Sequence, residues 1–171
     1  MVRGEADIFG PVHMQEGRIT MNRQRLFIWS AIAVAVAVTI SAAAMTATEA
    51  IKQRQKEMEG IGTAMKNLGA IAKNEQPFDA NVVATNAATI ADNLAQAAML
   101  FPDGSDVGDV ETRAKPEIWT EREQFERFLE NARQAAIELE SVTEAEAFPP
   151  ALGKLGNACK SCHDLYRLPK N

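Results

Sequence analysis

Residues 51–72 read Ile51-Lys-Gln-Arg54-Gln-Lys-Glu-Met58-Glu-Gly-Ile61-Gly-Thr-Ala-Met65-Lys-Asn-Leu68-Gly-Ala-Ile-Ala72. Ile51, Arg54, Met58, Ile61, Met65, Leu68 and Ala72 recur at steps of three and four, the period of a helix face buried in a bundle. Arg54 is the only charge in that series. Gln76-Pro77-Phe78-Asp79 breaks the helix, and Asp79 is placed to cap the next one. The second helix carries Val83, Ala87, Ile90, Leu94 and Ala97 on one face and is expected to end near Phe101-Pro102. An acidic link follows from Asp103 to Thr112, and links of that length often cross a bundle end or border a site. Pro116 opens the next element. Thr120-Glu-Arg-Glu123 matches a capping box, and Phe125, Phe128/Leu129, Ala132, Ala135/Ala136 and Leu139 form the stripe behind it. Pro149-Pro150 suits a first helical turn. The last helix runs to about Arg167, with Leu152, Leu155, Cys159, Cys162/His163 and Tyr166 on one side. Met65 and Met99 are expected in the core. Strand signals are absent, so the expected fold is all-α, an antiparallel four-helix bundle.

Composition narrows the function. The chain has 171 residues, 46% of them hydrophobic, enough for one packed domain with a targeting segment. Eighteen basic residues face 23 acidic ones, a net charge of −5, which disfavours a nucleic-acid binder. Two cysteines and two histidines exclude a four-ligand Cys/His zinc site and a disulfide-dense scaffold. GxGxxG, P-loop and HExxH patterns are missing, and no general acid–base or nucleophile constellation is visible, so the chain is not expected to be an enzyme.

The N-terminal part has its own pattern. Met21-Asn-Arg-Gln-Arg25 is basic, Leu26 to Ile40 is almost wholly apolar, and Ser41-Ala-Ala-Ala44 offers small residues at an A-x-A spacing. This is a secretory signal peptide over residues 21–45. Its rival is a retained anchor, since Leu26 to Ala47 is long enough to span a bilayer; membrane association is expected only if the segment is uncleaved. Residues 1–20 precede the basic start awkwardly, and translation is expected to begin at Met21, with 1–20 a non-native extension. The bundle then occupies residues 46–171. That part holds 14 basic and 20 acidic residues, a net charge of −6. Such a surface favours solubility and would steer basic partners.

Cys159-Lys-Ser-Cys162-His163 is the stretch that carries chemistry. C-x-x-C-H is the attachment pattern of a c-type haem. On a helix, positions i, i+3 and i+4 share a face. Both sulfurs can then bond the vinyl-derived carbons of one haem c, while His163 serves as proximal axial ligand from the same side. The rival is a dithiol oxidoreductase, but such pairs open a helix after a strand in a βαβ unit. A pair of buried structural cysteines would leave the adjacent histidine unexplained. Export signal, motif and helical pattern agree on a periplasmic haem protein.

From about residue 48 to the C-terminus the chain resembles the cytochrome c′ family, the class II c-type cytochromes, including its low-spin c-556-like branch. The resemblance rests on Arg54-Gln-x-x-Met58, on Leu68-Gly-Ala-Ile-Ala-Lys73 followed by Pro77-Phe78-Asp79, on Lys115-Pro116-x-Ile118-Trp119, and on Gly156-x-x-Cys159-x-x-Cys162-His163-Asp-x-Tyr166-Arg167. It implies that Arg54 lies near a haem propionate, against the plainer reading of a snorkelling side chain. It implies that Arg167 tunes the proximal side, against a cation merely suited to a helix C-terminus. Met58 matches the distal position. In c-556-like members that methionine is the sixth ligand; in c′-type members the site is a closed apolar pocket over five-coordinate iron. His13 lies ahead of the signal segment, so bis-histidine ligation is excluded.

Two functions follow. A one-electron carrier would use Met58 ligation and exchange electrons with redox partner proteins. A five-coordinate c′-type protein would bind NO or CO in an apolar distal pocket. The resemblance further suggests a homodimer through the first two helices.

Overall fold

A computed structural model describes residues 45–169. The expected signal segment and N-terminal extension lie outside the described residues, within which no helix is long and apolar enough to cross a membrane. The regular elements among the described residues are all helices: α1 Ala47–Ala72, α2 Ala80–Ala98, α3 Glu117–Thr120, α4 Arg122–Glu140 and α5 Phe148–Tyr166. The four long helices are those the periodicity predicts. The single turn α3 is an addition.

Local chemistry sets most boundaries. Asp79 caps α2, its carboxylate accepting from the amides of Asn81 and Val82. Pro149 and Pro150 sit in the first turn of α5, where a missing amide proton costs nothing. α1 opens with a reciprocal capping box that the sequence reading did not pick out: Thr46 Oγ1 accepts from Glu49 N, and the Glu49 carboxylate accepts from Thr46 N at 2.9 Å. The expected box at Thr120–Glu123 does not form. α4 begins at Arg122 after Glu121, with no side-chain cap, and Thr120 Oγ1 donates back to Glu117 O. The preceding turn of helix, nucleated after Pro116, has already taken up Thr120, so it cannot adopt the extended backbone of a cap.

Helix faces match the pattern closely. Val83, Ala87, Ile90, Leu94 and Ala97 are all buried on α2, as are Phe125, Leu129, Ala132, Ala135, Ala136 and Leu139 on α4. Met65 is half-buried against this core. Met99 is not core; it is 68% exposed, because α2 stops at Ala98 and the side chain leaves with the C-cap turn. α1 packs on α2, α2 on α4, and α4 on α5, while α1 and α5 touch only sparsely. Three sides of the bundle are thus closed by side-chain packing, and the fourth lies between α1 and the helix that carries Cys159-x-x-Cys162-His163. The link after α2 closes one end of the bundle, and Gly108 lies against Ile51 and Thr48 so closely that a Cβ there would come within 2.8 Å of Ile51 Cδ1.

Candidate haem-attachment site

α5 gives Cys159, Cys162 and His163 a common face by its 3.6-residue turn. Cys162 is buried, Cys159 and His163 are half-buried, and both thiols are free. Burial pushes the Cys162 thiol up to about 11 and raises Cys159 as well. Both sulfurs therefore stay protonated near neutrality, the opposite of the low-pKa thiolate that a dithiol oxidoreductase needs. His163 is pulled below its usual value, chiefly by burial and then by the charges of Arg167 and Arg113. Its imidazole is held neutral, the form that ligates a metal.

The C-terminal end of α5 is fastened by residues distant in sequence. Lys115 N donates to Tyr166 O at 3.0 Å and Leu168 N to Arg113 O at 2.8 Å, an antiparallel bridge between Ala114 and Arg167. Lys115 Nζ donates to Leu165 O at 2.8 Å and to Asp164 O at 3.4 Å, serving two carbonyls that the helix end leaves without intrahelical partners. Tyr166 Oη donates to Glu121 at 3.0 Å, and its ring packs edge-on against Phe125 and Phe128. Arg113, Lys115, His163, Asp164, Arg167, Leu168 and Pro169 line a cleft of about 440 Å³. In the sequence Lys115 stands out only within the Lys115-Pro116 resemblance, and Arg113 does not stand out at all. The signal available was a Lys-Pro pair just beyond an acidic link.

Arg54 lies on α1, 3% exposed, which removes the snorkelling alternative. Its Nη1 donates to Leu100 O and Ser105 Oγ, and its Nη2 to Ser105 O at 2.8 Å and Thr112 Oγ1 at 3.1 Å. The guanidinium also stacks over Phe101 and Trp119, at 4.9 and 5.6 Å from the ring centroids. Burial lowers its pKa and the charge of Asp106 opposes that shift. Nε–H is left as the donor with no acceptor among the described residues. Met58 follows one turn later on α1, half-buried against the core. Arg167 is exposed at the end of α5.

The donor set fits a haem and not a bare ion. Among the described residues no three His, Cys, Asp or Glu side chains converge on a point where a metal could sit. Iron at His163 would need its remaining ligands from elsewhere, and a porphyrin supplies four nitrogens. Two protonated thiols on the same face as a neutral imidazole suit thioether tethering.

The family model described as Cytochrome C′ matches residues 49–167. The chain belongs to the cytochrome c′ family. A cytochrome c′ of Rhodopseudomonas palustris is 36% identical over 125 residues, covering 72% of this chain and 84% of the relative. A cytochrome c-556 of Agrobacterium tumefaciens (strain B2A) is 34% identical over 125 residues, covering 70% of this chain and 98% of the relative. A solved cytochrome c′ described by its unusual ligand-controlled dimer dissociation superposes with a TM-score of 0.67 at 34% identity, covering 74% of this chain and 100% of the other. The four-helix bundle is the fold of these relatives, and cytochrome c′ is a standing example of that architecture. Proteins of the cytochrome c′ family carry one covalent haem c and serve electron transfer or gas binding.

Proposed function

We propose that the chain is a periplasmic one-electron carrier whose haem c is tethered through Cys159 and Cys162 with His163 as proximal ligand. The observation that carries this reading is the shared face of two protonated thiols and a neutral imidazole on a helix fastened at its C-terminal end. Bound haem supplies a one-electron iron couple, with a sixth position whose occupant decides between electron transfer and gas binding. The protein's own residues do the rest. Cys159 and Cys162 fix the macrocycle's orientation; His163 donates its lone pair; the apolar faces of α1 and α5 exclude water. Arg54 offers Nε–H to a propionate, while its other donors hold the link after α2. Arg167 adds positive charge on the proximal side, which disfavours a protonated imidazole.

Met58 is assigned as the sixth ligand in this reading. A relative named cytochrome c-556 supports it, as do the Leu68–Lys73 stretch and the Leu100-Phe101-Pro102 turn, while Arg54 and Gln55 lean to the c′ side. Electron paramagnetic resonance of the ferric protein tests it: a low-spin signal that becomes high-spin in Met58→Ala is expected, and a high-spin signal in the unaltered protein overturns it. The second reading is a c′-type NO- or CO-binding protein. It is favoured by the packing of Met58 against the core cluster, as a pocket-lining side chain would pack. Such a protein would bind CO without displacing a ligand.

Residues 21–45 act as the export signal in this proposal, with residues 1–20 outside the native product. Mature protein whose mass starts near residue 46 and includes one haem is expected; a mass retaining the apolar segment would make the chain membrane-anchored. A homodimer through α1 and α2 is proposed on the analogy of the relative with ligand-controlled dimer dissociation. Sedimentation with and without CO tests it. No catalytic turnover is proposed.

A further inference from the structure

The cleft beside His163 has a charge opposite to that of the chain. Overall the sequence is acidic, at −5. The cleft beside His163 is lined by three cations, Arg113, Lys115 and Arg167, against one carboxylate, Asp164. Asp164 is paired with Lys160 one turn earlier on α5. The donors of Arg113 and Lys115 go to main-chain carbonyls of residues 164, 165 and 168, which neutralise no charge. Arg167 forms no ion pair among the described residues. Among the described residues the three positive charges therefore stand uncancelled, and the Ala114–Arg167 bridge fixes the spacing of the segments that bear them. Beside them Leu165 and Leu168 are each 45% exposed. An apolar centre with a charged rim is the make-up of a protein–protein contact.

We propose that this face docks an acidic redox protein, whose carboxylates meet Arg113, Lys115 and Arg167 around Leu165 and Leu168. Complementary charge argues for that occupant, and the apolar pair argues for a protein surface over a free anion. The net negative charge of the chain does not prevent it. At about 0.1 M salt the screening length is about 10 Å, so a partner at contact responds to the local cations and little to carboxylates across the bundle. The redox part of the proposal rests on the haem reading; the surface itself does not.

The test uses the haem-loaded protein with two anionic probes. In the first arm the ferrous protein gives one electron to hexacyanoferrate(III), which becomes hexacyanoferrate(II), and the rate is followed against ionic strength. A fall of about tenfold from low to high salt is expected if local cations govern the encounter. In the second arm polyglutamate is titrated into the protein by calorimetry, and binding that weakens with salt is expected. Arg113→Glu combined with Arg167→Glu should abolish both effects. The milder Arg113→Gln and Arg167→Gln singles should each weaken them, and Lys73→Glu, in the turn after α1 at the other end of the bundle, should leave them intact. A rate that rises with salt overturns the proposal, as does polyglutamate binding unchanged in the double variant. Binding to anionic phospholipid vesicles without binding to polyglutamate also overturns it, in favour of a membrane. Colourless protein would refute the haem reading, while the calorimetric arm still reports on the surface.

Discussion

At Arg54 a full positive charge lies 3% exposed in a helix seam otherwise made of Ile, Met, Leu and Ala. Such a charge survives burial only with its donors satisfied. Leu100, Ser105 and Thr112 satisfy four of them, and two aromatic faces replace part of the lost hydration. Arg54→Met should therefore destabilise the protein by about 3 kcal/mol, because it strands buried carbonyl and hydroxyl groups. Arg54→Lys should recover little of it, since an ammonium cannot span the same acceptors. Denaturant unfolding checks both. Tyr166 makes a pH prediction. Burial and then the Glu121 carboxylate hold its hydroxyl above the ordinary value of 10. The folded state prefers the neutral phenol, so this contribution is complete below about pH 10 and is lost as pH rises through the raised value. Tyr166→Phe should flatten the alkaline loss of stability, measured as melting temperature against pH; an unchanged alkaline profile would count against this assignment.

At the scale of elements, helix ends are held by specific side chains. Asp79→Ala removes the cap of α2 and should cost about 1 kcal/mol. Lys115→Met frees the last carbonyls of α5, with an expected loss of about 1 kcal/mol, and hydrogen exchange should speed up at Leu165–Leu168 first. The failed capping box before α4 and the one found at Thr46 teach the same lesson. Both matched the motif in sequence. Only the one whose first residue is free to take an extended backbone forms it, and Thr120 is not free, because the turn after Pro116 holds it helical. Met99 differs for another reason: it falls off the 83, 87, 90, 94, 97 face of α2 and stands at the C-cap, one residue past the last helical one.

For the molecule as a whole, the sparse contact between α1 and α5 predicts how attachment couples to stability. Protein made without haem, through Cys159→Ala and Cys162→Ala, should melt lower and lose hydrogen-exchange protection in α1 and α5 ahead of α2 and α4. Uniform loss across all four long helices would contradict this. Four helices and the face of α5 that carries Cys159, Cys162 and His163 were legible from the chain, because a 3.6-residue period links neighbours three and four apart and needs no knowledge of the rest. The proposal of an export signal rests on the sequence alone. Partners across long separations were not legible. Arg54 meets Ser105 over 51 residues, and Lys115 meets Leu165 over 50. The cationic cleft arises because Arg113, Lys115 and Arg167 come from a loop and a helix end brought together by a main-chain bridge. The chain's order determined which helices form and which side chains share the face proposed to receive haem. Tertiary packing decided which groups satisfy the buried charge and which surface a partner meets, because those depend on distances between segments that local periodicity does not encode.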